Sequence, residues 1–133
     1  MTRTSQVIYV AAPVAHFDSA SYQRLVDLLR RRGAQVLSSR DLFASTDEWR
    51  ARWSDVLAQA TSVVVLLGPD RVIGGGCAQE ILDARLRGVP VWFFVNDHQF
   101  IPLQQVRLQF TLGVSRQRFA RVDLPSQTKR PTS

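Results

Sequence analysis

The sequence predicts an α/β fold: a three-layer, doubly wound sandwich around a five-stranded parallel sheet. Three observations predict it. Short, β-branched and nearly continuous apolar runs ("VIYV", "SVVVLL", "VWFFV") recur along the chain, as expected of strands covered on both faces. Between them lie segments of helix length whose apolar residues recur at three- and four-residue spacing. Alternation of the two kinds implies parallel strands joined by crossover helices. The length, 133 residues with 45% hydrophobic side chains, suits a single core.

The elements follow in order. "QVIYVAA" is the first strand. "SASYQRLVDLLRRRG" places Tyr22, Leu25, Val26, Leu28 and Leu29 at helical intervals, with Ser19 or Ser21 as cap and Gly33 as stop. "AQVLSS" is the second strand. "STDEWRARWSDVLAQA" opens on a capping cluster and sets Trp49, Trp53, Val56 and Leu57 on one helical face. "SVVVLLG" is the third strand and leads into Pro69, Asp70 and three glycines. "CAQEILDARLRG" is a helix ended by Gly88, and "VPVWFFV" is the fourth strand. "IPLQQVRLQFTLG" reads as a short helix and "RQRFARVDL" as the fifth strand. Residues 1–124 form one domain, and the tail 125–133, "PSQTKRPTS", is polar and reads as disordered. The default strand order is the flavodoxin-like 2-1-3-4-5. In such sheets ligands settle outside the carboxyl ends of strands one and three, where the winding reverses. The loops "AAPVAHFD" and "GPDRVIGGGC" therefore meet at one crevice.

Charge narrows the partners. A formal charge of +6 points to an anion, either nucleic acid or a phosphorylated small molecule. Arg30, Arg31 and Arg32 fall at a helix end, where cations complement the macrodipole. No stretch interleaves basic and aromatic residues as a stacking surface does, so nucleic acid is not the expected partner. No apolar run is long enough for a membrane span, and "MTRTSQVIYV" lacks the regions of a signal peptide. The expectation is a cytoplasmic protein without a membrane partner. The lone Cys77 cannot form an internal disulfide.

The stretch "GGGCAQE" carries the most chemistry. Gly74, Gly75 and Gly76 stand at a helix entrance, where backbone N–H groups can approach an anion. The pattern is neither a Walker loop nor the dinucleotide fingerprint, which would need glycines at Ala11, Ala12 and Pro13. Behind the glycines comes Glu80, one of two glutamates in the chain. In a first turn it would be held ionised by the helix dipole, as a nucleophile requires. Asp55, close in sequence to Trp53, Val56 and Leu57, could occupy a less polar environment with a raised pKa and share a proton. The plainer alternative pairs it with Arg52 on a solvated face. Two carboxyls with divided roles suit cleavage at an anomeric carbon. Tyr9 could aim its hydroxyl at the crevice, and His16, in the loop after the first strand, could touch a phosphate or a base. His16, His98 and Cys77 show no metal-ligand spacing, so neither a metal nor a cofactor is expected.

In order along residues 6 to 122, "VIYVAAP", "YQRLVDLLRRRGAQVL", "WSDVLAQATSVVVLLGPD" and "GGGCAQEILDARLRGVPVWFF" resemble the nucleoside 2-deoxyribosyltransferase-like superfamily. That superfamily includes deoxyribosyltransferases, 2'-deoxynucleoside 5'-phosphate N-hydrolases and CMP N-glycosidases. The most specific part is Gly76-x-Ala78-x-Glu80 followed by a helix, a turn and a strand. The resemblance implies cleavage or transfer at the N-glycosidic bond of a nucleoside or nucleoside 5'-monophosphate. Glu80 would attack C1′, Asp55 would assist at the base, and Tyr9 would line the sugar pocket. The chain departs from the pattern at Gly74, where the family often has an acid or serine, and at Ala12, Pro13 and Val14, where it has glycine with serine or phenylalanine. The 5′ end would then be held by Gly74 to Gly76, by His16, or by Ser115 and Arg116, a pair similar to one that reaches into a neighbouring subunit. The resemblance implies a homodimer. A non-catalytic nucleotide-binding module of the same fold is the alternative.

Overall fold

A computed structural model describes residues 6–12, 16–112 and 118–125. The chain runs β1 (Val7–Ala11), α1 (Ala20–Arg31), β2 (Gln35–Ser38), α2 (Ser39–Leu42), α3 (Thr46–Gln59), β3 (Ser62–Leu66), β4 (Val72–Ile73), α4 (Gly75–Leu86), β5 (Val91–Val95), β6 (Gln99–Pro102), a 3₁₀ turn (Leu103–Gln105), β7 (Arg107–Leu112) and β8 (Arg118–Asp123). The main sheet has five strands in the order β2-β1-β3-β5-β6. β2, β1, β3 and β5 are parallel, with Tyr9 opposite Leu37 on one side and Val63 on the other.

Alternate residues of each central strand enter two different cores, which is why the runs are continuously apolar. Tyr9, Ala11, Val63, Val65 and Phe93 point into the core shared with α3 and α4. Ile8, Val10, Val64, Leu66 and Phe94 point into the core covered by α1. Ser19 caps α1, its Oγ accepting from the Tyr22 N–H, and Gly33 follows the helix with φ +86°. Ser45 caps α3 through the Glu48 N–H. The Arg32 guanidinium lies 5.3 Å over the Phe100 ring, so part of the basic run covers an aromatic surface. Among the described residues no helix is long and apolar enough to cross a membrane.

The fifth position of the sheet departs from expectation. It is filled by β6, which turns back antiparallel to β5 through Asn96 and Asp97, both at positive φ, as tight hairpin turns demand. "RQRFARVDL" does not join the main sheet. β8 pairs with β7 and β4 in a separate three-stranded sheet of order β4-β8-β7, antiparallel throughout. Of the stretch expected to be a short helix, only Leu103–Gln105 forms a 3₁₀ turn, and Arg107–Leu112 is the strand β7. Its sequence alternates Arg107, Gln109 and Thr111 with Leu108, Phe110 and Leu112, a period of two that fits a strand and not a helix. The polar tail, apart from Pro125, lies outside the described residues.

Candidate functional site

Tyr9 sits in the middle of β1 on the face covered by α3 and α4, and its side chain reaches Glu80 on α4. The Tyr9 hydroxyl donates to Glu80 Oε2 at 2.5 Å, and Trp49 Nε1 donates to the same oxygen at 2.9 Å. One helical turn further on, Trp53 Nε1 donates to Asp83 Oδ2 at 3.0 Å, while Gln79 Nε2 donates to Asp83 Oδ1 at 2.9 Å. Residues four apart on α3 thus meet residues three apart on α4, because each pair shares a helical face. Two indoles clasp two carboxylates and pin the helices together. The Tyr9 ring packs against Trp53, with centroids 4.7 Å apart and planes tilted by 56°.

Burial sets the electrostatics. Glu80 is 4% exposed. Loss of water pushes its carboxyl up to about 7, against the lowering effect of the Tyr9 and Trp49 hydrogen bonds, and the nearby Asp83 charge adds to the rise. Burial, and then the Glu80 charge, raises the Tyr9 phenol far above its usual range, so Tyr9 is a permanent donor. The buried Cys77 thiol is raised for the same two reasons. These findings correct one expectation. α4 begins at Gly75 and has no acid in its first turn, so Glu80 lies beyond the strongest part of the dipole, and desolvation decides its charge. Both donors converge on Oε2. Oε1 takes no hydrogen bond among the described residues, which leaves one oxygen anchored and one with its lone pairs uncommitted.

Asp55 does not join this cluster. Its side chain is exposed, and at about 100° per residue it lies roughly 200° around α3 from Trp53, on the opposite face. The expected apolar environment is absent. Arg52 is not its partner either, since that guanidinium bonds Glu48 at 3.1 Å. Gly74 is the N-cap of α4, and Gly75 and Gly76 open the helix. A Cβ at Gly74 or Gly76 would meet nothing within 4 Å, and neither has positive φ, so packing and backbone conformation leave their identity unexplained. Ala12 is buried just beyond β1. Ser115 and Arg116, like Pro13 and Val14, lie outside the described residues.

The two crevice loops do meet. His16 Nε2 rests against Gly68, where an added Cβ would come within 3.0 Å of it. His16, Gly68, Pro69 and Arg71 line a cleft of about 630 Å³, together with Ser19, Ser21, Asn96 and Asp97. Neither Tyr9 nor Glu80 lines it. A second hollow of about 610 Å³ lies between the end of α4 and the Leu103–Leu108 stretch, away from both. Sequence reasoning missed Trp49, Trp53 and Asp83 as members of the Glu80 cluster. The signal was there: two tryptophans at i and i+4 each need a partner for a buried N–H, and the acids at 80 and 83 have matching spacing. Among the described residues no group of three His, Cys, Asp or Glu could hold a metal ion.

The fold and site define an α/β protein with a mostly parallel five-stranded sheet flanked by helices and a buried tyrosine–glutamate pair at its centre. No protein-family model matches the chain, and no curated protein matches it. Among solved structures it is similar to a conserved protein from Enterococcus faecalis V583, at 22% identity and a TM-score of 0.51, over 66% of this chain and 62% of that one. The chain thus spans less than two thirds of that protein's length. At this identity the likeness concerns the fold alone.

Proposed function

We propose that the chain cleaves or transfers at the N-glycosidic bond of a nucleoside or nucleoside 5'-monophosphate, with Glu80 as nucleophile. The observation that carries this reading is the Tyr9–Glu80 hydrogen bond, across 71 residues of chain. It joins the two positions that the resemblance to the deoxyribosyltransferase-like superfamily marks as nucleophile and sugar-pocket tyrosine. A carboxylate anchored through Oε2 can present Oε1 to C1′. The C1′–O bond forms as the C1′–N bond breaks, and the base leaves with the electron pair and takes a proton from water. Attack on C1′ by water, or by the nitrogen of a second base, then frees Glu80. The Trp49 indole shares the anchoring of Oε2 with Tyr9, so Oε1 is the oxygen that meets C1′. Asp55 has no role within one protomer.

The test is chromatography of a nucleoside and nucleotide panel after incubation with wild type and with Glu80→Gln. Free base released by wild type alone supports the reading, and no release from any member of the panel refutes it. A second reading is a nucleotide-binding module that does not cut. The outward orientation of Asp55 and the deep burial of Glu80 favour it, and it predicts nucleotide binding by both proteins with no base released.

A further inference from the structure

The hollow beneath the end of α4 takes no part in the chemistry proposed for Glu80. Gly88, at φ +73°, turns the chain back under the helix end, and the Val89 N–H donates to the Ala84 carbonyl at 2.9 Å. The Val89, Pro90 and Val91 part of the lining is therefore tied to the helix. Val91 opens β5, which sets the hollow at the amino end of that strand, away from the loops that follow β1 and β3. The rest of the apolar lining comes from Leu103, in the 3₁₀ turn, and from Val106 and Leu108, around the start of β7. Val106 and Leu108 are two apart in extended chain and so project to one side, where both pack against the core that contains Ile81. A volume of about 610 Å³ lies within the usual range for small-molecule pockets.

One side chain breaks the apolar pattern. At about 100° per residue, Ala78, Ile81 and Arg85 fall within roughly 60° of one another around α4. Ala78 and Ile81 are buried in the core, and Arg85 takes the next place on the same stripe, where an amphipathic helix would carry a further apolar residue. Arg85 lines the hollow and stays accessible to water. A cation in a last turn complements the helix dipole, but a position on the outer face would serve that purpose equally well. Among the described residues Arg85 takes part in no salt bridge. The acid two residues before it, Asp83, has one oxygen taken by Trp53 and the other by Gln79. Arg87 is engaged elsewhere, donating to the Ser54 carbonyl at 3.0 Å and to the Ser54 hydroxyl. The charge at Arg85 is thus left for a ligand. A guanidinium fork matches the two oxygens of a carboxylate, the apolar lining suits a hydrocarbon body, and one cation balances one negative charge. Gln104 is the other polar side chain of the lining.

We propose that this hollow is a binding site for an apolar monocarboxylic acid, with the carboxylate on Arg85 and the hydrocarbon body against Val89, Val91, Leu103 and Val106. The site is independent of the reaction proposed for Glu80. Isothermal titration calorimetry of the full chain tests it, with octanoate, phenylacetate, phenylacetamide, acetate and inorganic phosphate as probes. Octanoate or phenylacetate should saturate a single site per chain, and the tighter of the two identifies the body as a straight chain or a ring. Phenylacetamide, which keeps the ring and lacks the charge, should bind more weakly than phenylacetate, and acetate and phosphate, which lack the body, more weakly than either acid. Arg85→Gln keeps a good helix former at an exposed position, so its Tm should stay close to that of wild type, while its affinity for the acids should fall roughly tenfold or more. Val106→Trp should fill the hollow and abolish binding, and Glu80→Gln should bind as wild type does. The proposal is overturned if wild type binds neither acid, if Arg85→Gln binds them unchanged, if phenylacetamide matches phenylacetate, or if acetate or phosphate matches the acids. It is also overturned if sedimentation velocity shows a dimer that Val106→Trp dissociates while neither acid binds, which would give the hollow to a second copy of the chain.

Discussion

Tyr9 on β1 and Glu80 on α4 share a 2.5 Å hydrogen bond beneath the Trp49 indole. The bond is short because the acceptor carries charge for part of the time and the donor never ionises in the accessible range. It also couples the sheet to its covering helix at the deepest point of one core. A carboxylate buried to this degree would be prohibitive without partners. Two donors to one oxygen offset part of that cost and leave the other oxygen open. The same geometry bears on both stability and reactivity, and the two respond to pH with opposite signs.

Tyr9→Phe removes one of the two donors to Oε2 and keeps the ring against Trp53. A buried acceptor that loses one hydrogen bond costs about 1–3 kcal/mol, and the loss should be read by urea unfolding at pH 8, where Glu80 is charged. At pH 5 the carboxyl is protonated and the cost should shrink. An equal loss at both pH values would mean that packing, and not the hydrogen bond, is what Tyr9 supplies.

The raised carboxyl makes stability fall as pH rises. Glu80 moves from its ordinary 4.5 to about 7 on folding. Between those values the folded state binds more protons than the unfolded chain, so unfolding free energy decreases with pH. The contribution is fully present below about 4.5, is lost through about 7, and is flat above that. The change amounts to a few kcal/mol at most, since each pKa unit corresponds to about 1.4 kcal/mol. Glu80→Gln should flatten the wild-type slope across this window in denaturant titrations, and parallel slopes in the two proteins would refute the assignment. Base release should run the other way, with kcat/KM rising through about pH 7 as the nucleophile ionises.

Much of the fold was legible because two-sided burial leaves a plain mark. Every residue of "SVVVL" after Ser62 faces one core or the other, so no alternation obscures the strand. β6 was harder to read, since four residues ending in Pro102 carry little periodicity. Yet Asn96 and Asp97 are turn residues, and they announce the hairpin. The Tyr9–Glu80 pairing came from the resemblance and not from spacing, because nothing local tells two residues 71 apart that they touch. The cover of Trp49 over Glu80 depends on how α3 and α4 pack, a tertiary fact. Asp55 was different. A helical wheel already places it away from Trp53 and Leu57, and closeness in sequence was mistaken for closeness in space.

Trp49→Phe separates cover from clasp. Phenylalanine keeps an aromatic ring at this position but donates nothing, so Glu80 retains Tyr9 as its one donor. The expected loss is about 1–2 kcal/mol at pH 8 and little at pH 5. The Trp49 hydrogen bond lowers the Glu80 carboxyl, so in the proposed reaction this variant should move the acid limb of kcat/KM to higher pH. Kinetics across pH 6 to 9 check the shift. Trp53→Phe should cost stability through Asp83 and leave that limb in place, because Trp53 makes no bond to Glu80.

Asp55→Ala tests the residue that the structure sets apart. An exposed helical side chain that makes no hydrogen bond or ion pair among the described residues should change stability by less than about 0.5 kcal/mol. If each protomer acts alone, base release should also be unchanged, because nothing connects Asp55 to the face that carries Trp49 and Trp53. Loss of turnover with stability intact would show instead that Asp55 acts on a neighbouring protomer. Mixing Asp55→Ala with Glu80→Gln would then decide the matter. Two inactive proteins that recover activity together share their sites across an interface, whereas a mixture that stays inactive keeps the chemistry within one chain.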